Sequence, residues 1–249
     1  MALSDFPLIE LDFIDSTNNY AMQLIDANKA QPGLTIVARQ QGLGKGQRGK
    51  AWIDEPGQSL LMSIIVTPVQ SVREQFVFSA SIAVAIANVL QKLLPNCDVR
   101  IKWPNDIIIN DKKAGGILIE NILRGAQWTH SIIGIGLNVK QDKFPDSLPF
   151  ATSLRIASGI DFDLAYIRDS LREQIQSAVL FPFSPAVTMR SYNEFLYKRN
   201  LKQRLSNDLI DYVVTVLSVQ PDGMLEVKIQ DGTKEYYQHG QVKREWGAD

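Results

Sequence analysis

The sequence carries a single cysteine, Cys97, and only two histidines, His130 and His239. One thiol cannot form an internal disulfide, which favours a reducing compartment, and no histidine stands beside Cys97 in the sequence to make it a nucleophile. Neither histidine has a cysteine, a second histidine or a carboxylate at ligand spacing, so no histidine-based metal site is expected. An excess of charge is also missing. The 26 Lys and Arg against 27 Asp and Glu leave a formal net charge of −1, which gives no bulk attraction to nucleic acid or to an anionic membrane. Residues 1–13 contain acids and no long apolar run, so no signal peptide is expected, and no segment reads as a membrane span. Repeats and low-complexity tracts are absent. What remains is the profile of a cytoplasmic globular protein, with 249 residues able to bury roughly three quarters of their unfolded surface.

Two regions differ in periodicity. Apolar residues at 76, 77, 80, 83, 84, 87, 90 and 94 form a helical core face over 73–94 that ends at Pro95. Further helices are predicted from Leu164 to about Leu180, capped by Asp161 or Asp163, and from Ala186 to Lys198. From about Asn200 the pattern changes. Apolar β-type runs at 212–219 and 224–229 alternate with Pro221-Asp222-Gly223 and Asp231-Gly232, which reads as a small β-barrel. The expected organisation is a domain over 1–199 and a second over 200–249.

Two short segments concentrate the chemistry. The first is Lys102-Trp103-Pro104-Asn105-Asp106, followed by Lys113-Ala114-Gly115-Gly116. Pro104 ends a strand over 99–102, and 107–109 with 117–119 form a hairpin around the turn signal Asn110-Asp111. A solvated hairpin tip explains the lysines, but a cation beside glycines also lets an anionic reacting group approach the backbone. The second segment, 40–52, places Gly42, Gly44, Gly46 and Gly49 among Lys45, Arg48 and Lys50 and ends in Trp52. It follows an apolar strand over 34–38 and precedes another over 59–66. It lacks Gly-Lys-Ser/Thr and a following helix, so it is not a P-loop. A flexible loop without a ligand would have this composition, but the terminal indole suits stacking on a nucleobase.

With Ser16-Thr17-Asn18 upstream and Gly136-Leu137-Asn138-Val139 downstream, these segments make five motifs in one order over about half the chain. In that order they resemble the biotin protein ligases. The resemblance implies an α+β fold: a mixed-sheet catalytic domain with packed helices, of the class II synthetase and biotin ligase type, and an SH3-like C-terminal β-barrel. It implies activation of biotin by ATP to biotinyl-5′-AMP, with Mg²⁺, and transfer of biotin to a lysine of a biotin carboxyl carrier protein. By the same resemblance Lys113 is the catalytic cation. Biotin is bound by Ser16, Thr17, Asn18, Gln41, Gly44, Lys45, Gly46, Gln47, Lys113 and Gly116. The nucleotide is bound by Lys45, Arg48, Trp52, Lys102, Asn105, Asp106 and Asn138, with Asp106 a candidate magnesium contact.

Competing structural roles accompany several of these residues. Ser16 or Thr17 suits a helix N-cap, and Asn138 a tie between a strand end and a turn. Many relatives carry arginines where this loop has Lys45 and Gln47, so a weaker hold on the adenylate is expected. The first motif begins at Ser16, so no N-terminal helix-turn-helix and no DNA binding are expected. A homodimer through a sheet edge is compatible with the sequence. The alternatives are a lipoate or octanoate ligase, which would bring a different glycine-rich loop or a reactive cysteine, a non-catalytic biotin sensor, which would lack Lys113 or the nucleotide residues, and a nucleotide-binding interaction protein, which would not need Ser-Thr-Asn.

Overall fold

The computed structural model describes residues 6–206 and 211–244. The outer ends of the two predicted domains lie outside these residues. Seven strands, β1 (Leu8–Ile14), β2 (Thr35–Gln41), β3 (Ser59–Val66), β4 (Val99–Lys102), β5 (Asp106–Ile109), β6 (Lys112–Arg124) and β7 (Gln127–Asn138), form one sheet in the order β1-β2-β3-β7-β6-β5-β4. Only β1 and β2 run parallel. Parallel neighbours need a crossover, and α1 (Thr17–Asp26) supplies it.

The sheet is covered on both faces, and strand alternation sorts its side chains between two cores. Leu60, Met62, Ile64 and Val66 of β3 and Ile133, Ile135 and Leu137 of β7 face the larger core. Packed there are α2 (Gln75–Leu93), α4 (Leu164–Leu180) and α5 (Pro185–Phe195). The other face carries a small core of Ile36, Ile65 and Ile132 under Ala21 and Ile25 of α1. Asp163 caps α4, accepting from the N–H groups of Ala165 and Tyr166. A short helix, α3 (Leu154–Ser158), was not anticipated.

Two expectations change. The stretch Val72–Leu93 is in fact long and apolar enough to cross a membrane, yet Phe78, Ile82, Ile86 and Leu90 are buried in the larger core. Helix α5 stops at Phe195 and not at Lys198, because Leu196 leaves helical geometry (φ −60°, ψ 119°) and bridges to Ile101. As the β-rich pattern predicts, the described residues of the C-terminal region form a five-stranded antiparallel sheet of β8 (Lys202–Ser206), β9 (Asp211–Val219), β10 (Leu225–Lys228), β11 (Lys234–Tyr237) and β12 (Lys243–Arg244), in the order β11-β10-β9-β8-β12. Its Leu205, Val214, Val216 and Leu225 join the larger core. Asn193 of α5 clasps Val219 through both backbone groups, and Trp103 Nε1 donates to Gly223 O at 2.9 Å.

Candidate active site

The face of the sheet under α1 leaves a cleft of about 500 Å³, within the range of small-molecule sites. Glycine makes the room. Gly116 and Gly136 are paired across β6 and β7, and Gly134 stands opposite Leu118. A Cβ on Gly136 would lie 2.6 Å from the Trp52 ring, and one on Gly134 only 2.3 Å from Asn18 Oδ1.

The cleft brings together residues from distant parts of the chain. Ser16, Thr17 and Asn18 come from the start of α1, Gln41 from the end of β2, and Lys45, Gly46, Gln47, Arg48, Lys50 and Trp52 from the basic loop. Lys102, Asn105, Asp106, Lys113 and Gly116 complete it from β4 to β6. Five cations (Lys45, Arg48, Lys50, Lys102 and Lys113) therefore share the cleft wall with one carboxylate, Asp106. Such a wall favours an anionic ligand. Two anticipated residues lie elsewhere. Gly44 is not in the cleft wall and packs against Trp52 and Gln41. Asn138 is not in the cleft wall, and its amide donates to Thr152 O at 3.0 Å, the strand-to-turn tie that its residue type allowed.

Lys113 reaches the cleft through a β-bulge. Ile107 pairs with Gly115 but Ile108 pairs with Lys113, leaving Ala114 as the extra residue. Without the bulge Lys113 would share a face with Gly115, whose missing Cβ faces Ile107 and Leu137 of the larger core. The inserted residue turns Lys113 to the opposite face, beside Gly116. There its Nζ lies 2.7 Å from Asp106 Oδ1. The backbone of Lys113 is held on both sides, by Phe150 O and by the N–H of Thr152. Asn110 and Asp111, both at positive φ, close the hairpin behind it.

The polar end of the cleft is built around α1. Ser16 occupies the N-cap position, but its side chain makes no capping hydrogen bond. The Thr17 N–H donates to Gln41 Oε1 at 2.7 Å, and the hydroxyl lies 3.1 Å from the same oxygen. Behind them Ser63 and Glu120 touch Asn18. Sequence reading missed both residues, because neither belongs to a local motif.

The basic loop folds back on itself. Lys45 bridges to Ala51, the Gly46 N–H donates to Lys50 O, and the Trp52 N–H donates to Gly44 O. Arg48 sits at φ 56°, with its guanidinium so close to Gly240 that a Cβ there would overlap it. The C-terminal sheet thus contributes His239, Gly240 and Val242 to the cleft wall. His239 lies edge-on to Trp103, and burial, then Arg48, hold it below the usual histidine range. The buried Trp52 Nε1 and Gln47 Oε1 have no hydrogen-bond partner, so a ligand with polar groups has a donor and an acceptor to meet. Among the described residues no three His, Cys, Asp or Glu converge as a metal site.

Beyond the loop, Asp54 Oδ2 is buried without a partner, and burial pushes this carboxyl up to about 6. A raised folded-state value means that the contribution of Asp54 is most favourable below its unfolded value of 3.8 and is lost as pH rises through about 6. Asp54→Asn should therefore raise the melting temperature at pH 8, with the gain shrinking toward pH 5. Parallel thermal melts check this, and a gain independent of pH would contradict it.

The profile of the biotin/lipoate A/B protein ligase family matches residues 10–138. The chain is 32% identical to the bifunctional ligase/repressor BirA of Bacillus spizizenii over 237 residues, covering 92% of this chain and 72% of that protein. It is 32% identical over 130 residues to the biotin–[acetyl-CoA-carboxylase] ligase of Paracoccus denitrificans, covering 50% of this chain and 51% of that one. In fold it is similar to the biotin protein ligase from Aquifex aeolicus solved in complex with biotin and ATP, with a TM-score of 0.77 at 20% identity, over 97% of this chain and 99% of that one.

Proposed function

The chain belongs to the biotin/lipoate A/B protein ligase family, and we propose that it works within that family as a biotin protein ligase. It activates biotin with ATP and transfers it to a lysine of a biotin carboxyl carrier protein. In the first step a biotin carboxylate oxygen bonds to the α-phosphorus, the bond to the β-phosphate oxygen breaks, and pyrophosphate leaves. In the second the acceptor amine attacks the activated carbonyl, loses a proton, and AMP leaves. Negative charge gathers in both steps on oxygens that fixed cations must face. The observation that carries this reading is one cleft whose wall brings Lys45, Arg48, Lys50, Lys102 and Lys113 together with the neutral donors and acceptors of Ser16, Thr17, Asn18 and Gln41.

Under this reading Ser16, Thr17 and Gln41 bind the ureido end of biotin, which has one carbonyl and two N–H groups and needs both kinds of partner without charge, and Asn18 supports Thr17 through Ser63. The biotin chain runs over Gly116, Gly46 and Gln47 toward Lys113. Trp52 packs on adenine, Lys102 and Asn105 meet the phosphates, and Lys45 and Arg48 close over the adenylate, with Gly44 shaping the loop. Asn138 acts indirectly by holding the 152 turn. Asp106, the one carboxylate of the cleft wall, would be the contact for a Mg²⁺ brought by the nucleotide, which would neutralise phosphate charge. Residues 200–249 act as an SH3-like module whose turn at 239–240 walls the cleft.

The test is biotin-dependent exchange of labelled pyrophosphate into ATP, with lipoate and octanoate in parallel. Exchange with biotin alone is expected. Exchange with lipoate alone would move the chain to the sister activity, and silence with all three would end the ligase reading. Gln47 adds a smaller prediction. Gln47→Arg supplies a cation at the loop, so biotinyl-adenylate should leave the variant several-fold more slowly, on the order of 1 kcal/mol. Equal release rates would refute it.

A further inference from the structure

We infer that Glu120, which lies beside the cleft under the basic loop and outside the cleft wall, is a positioning residue that sets the direction of a hydrogen-bond chain ending at Thr17, and so makes the Thr17 hydroxyl an acceptor for a ureido N–H. The inference rests on the biotin reading of the site. Four side chains from three elements form the chain. Asn18 Nδ2 is 2.6 Å from Glu120 Oε2 and 3.4 Å from Leu118 O. Ser63 Oγ is 2.6 Å from Asn18 Oδ1 and 2.7 Å from Thr17 Oγ1. Thr17, Asn18 and Ser63 are buried.

The direction follows from what each group can do. A carboxylate only accepts, so Glu120 takes the Nδ2 end of the Asn18 amide and leaves Oδ1 toward Ser63. Oδ1 also only accepts, so the single Ser63 proton must go to it. The remaining 2.7 Å contact then has one workable direction, with the Thr17 hydroxyl donating to Ser63 Oγ. Gln41 Oε1 is still satisfied by the Thr17 N–H at the shorter distance of 2.7 Å. With its proton turned inward, Thr17 Oγ1 offers lone pairs to the cleft. Gly134 keeps the relay in register, since the amide of Asn18 lies flat against it. With glutamine at 120 only the longer contact of 3.4 Å to Leu118 O still holds this orientation. An amide can donate or accept, so Asn18 can flip, Ser63 can turn its proton to Thr17, and Thr17 can point its own proton at the ligand N–H.

The test is biotin binding by calorimetry for wild type, Glu120→Gln, Ser63→Ala, Thr17→Val and the double variant Glu120→Gln/Thr17→Val, each checked by thermal melting. Glu120→Gln and Ser63→Ala should each weaken biotin by about tenfold, the scale of one polarised hydrogen bond. In pyrophosphate exchange the loss should fall on KM for biotin and not on kcat. The double variant should bind no more weakly than Thr17→Val alone, because Glu120 acts only through Thr17. Additive losses, or a Glu120→Gln variant with wild-type affinity, would overturn the inference while leaving the ligase reading intact. Wild-type protein that does not bind biotin would overturn both.

Discussion

Lys113→Ala should lower the rate of biotinyl-adenylate formation by about two to three orders of magnitude, the usual scale for removing one preorganised electrostatic donor. The loss should appear in kcat at saturating biotin and ATP, because the lysine faces charge that grows as the carboxylate attacks phosphorus. Preorganisation is visible in three features. The bulge at Ala114 aims the side chain, the segment around 150–152 clamps its backbone, and Asp106 holds Nζ at 2.7 Å. Both members of the ion pair are partly exposed, so the stability cost should be within about 1 kcal/mol. Lys113→Arg should recover little, since a planar fork does not replace a point charge held beside Gly116. Single-turnover formation of labelled adenylate is the measurement. A rate within about tenfold of wild type, well short of the scale of one such contact, would move the catalytic role to Lys102 or the loop cations.

Gly134→Ala should weaken biotin by about thirtyfold to a hundredfold without touching a reacting atom. Its Cβ would stand 2.3 Å from Asn18 Oδ1, 2.9 Å from Cγ and 3.0 Å from Nδ2. A solvated asparagine would swing aside, but this one is buried and held by Ser63 and Glu120. The added methyl must break those bonds or push β7 away from α1. Losing one neutral and one charge-assisted hydrogen bond costs about 2–4 kcal/mol, and most of that falls on the site that Asn18 helps to form. Calorimetry with biotin alone is the check, with circular dichroism to show that the fold survives. Wild-type affinity would mean that the Asn18 amide does not shape the pocket.

Much of this was legible from local pattern. The helical stripe over 73–94, the Asp163 cap, the hairpin over 106–119 and the strand on each side of the basic loop all follow from periodicities and turn residues acting within a few positions. The motif residues also came together, apart from Gly44 and Asn138. What escaped was built by contacts between elements far apart in the chain. Ser63 and Glu120 carry no local signature, and Glu120 is one exposed-type residue on a long strand until β6 lies beside the start of α1. The same holds for Gly240, which matters because Arg48 comes to rest against it.

The sequence by itself determined the kind of protein: its family, the order of most of its elements, and the residue types that an anionic, adenylate-forming reaction requires. These depend on composition and short-range spacing, which the chain carries whether or not it is folded. Tertiary structure decided which of those residues face the cleft and in what hydrogen-bonding sense. One extra residue at Ala114 moves Lys113 from the core face to the cleft face, and one carboxylate on that same face, beside α1, orients Asn18. Both outcomes depend on strand register and on packing between segments about a hundred residues apart, where a shift of one residue reverses every side chain.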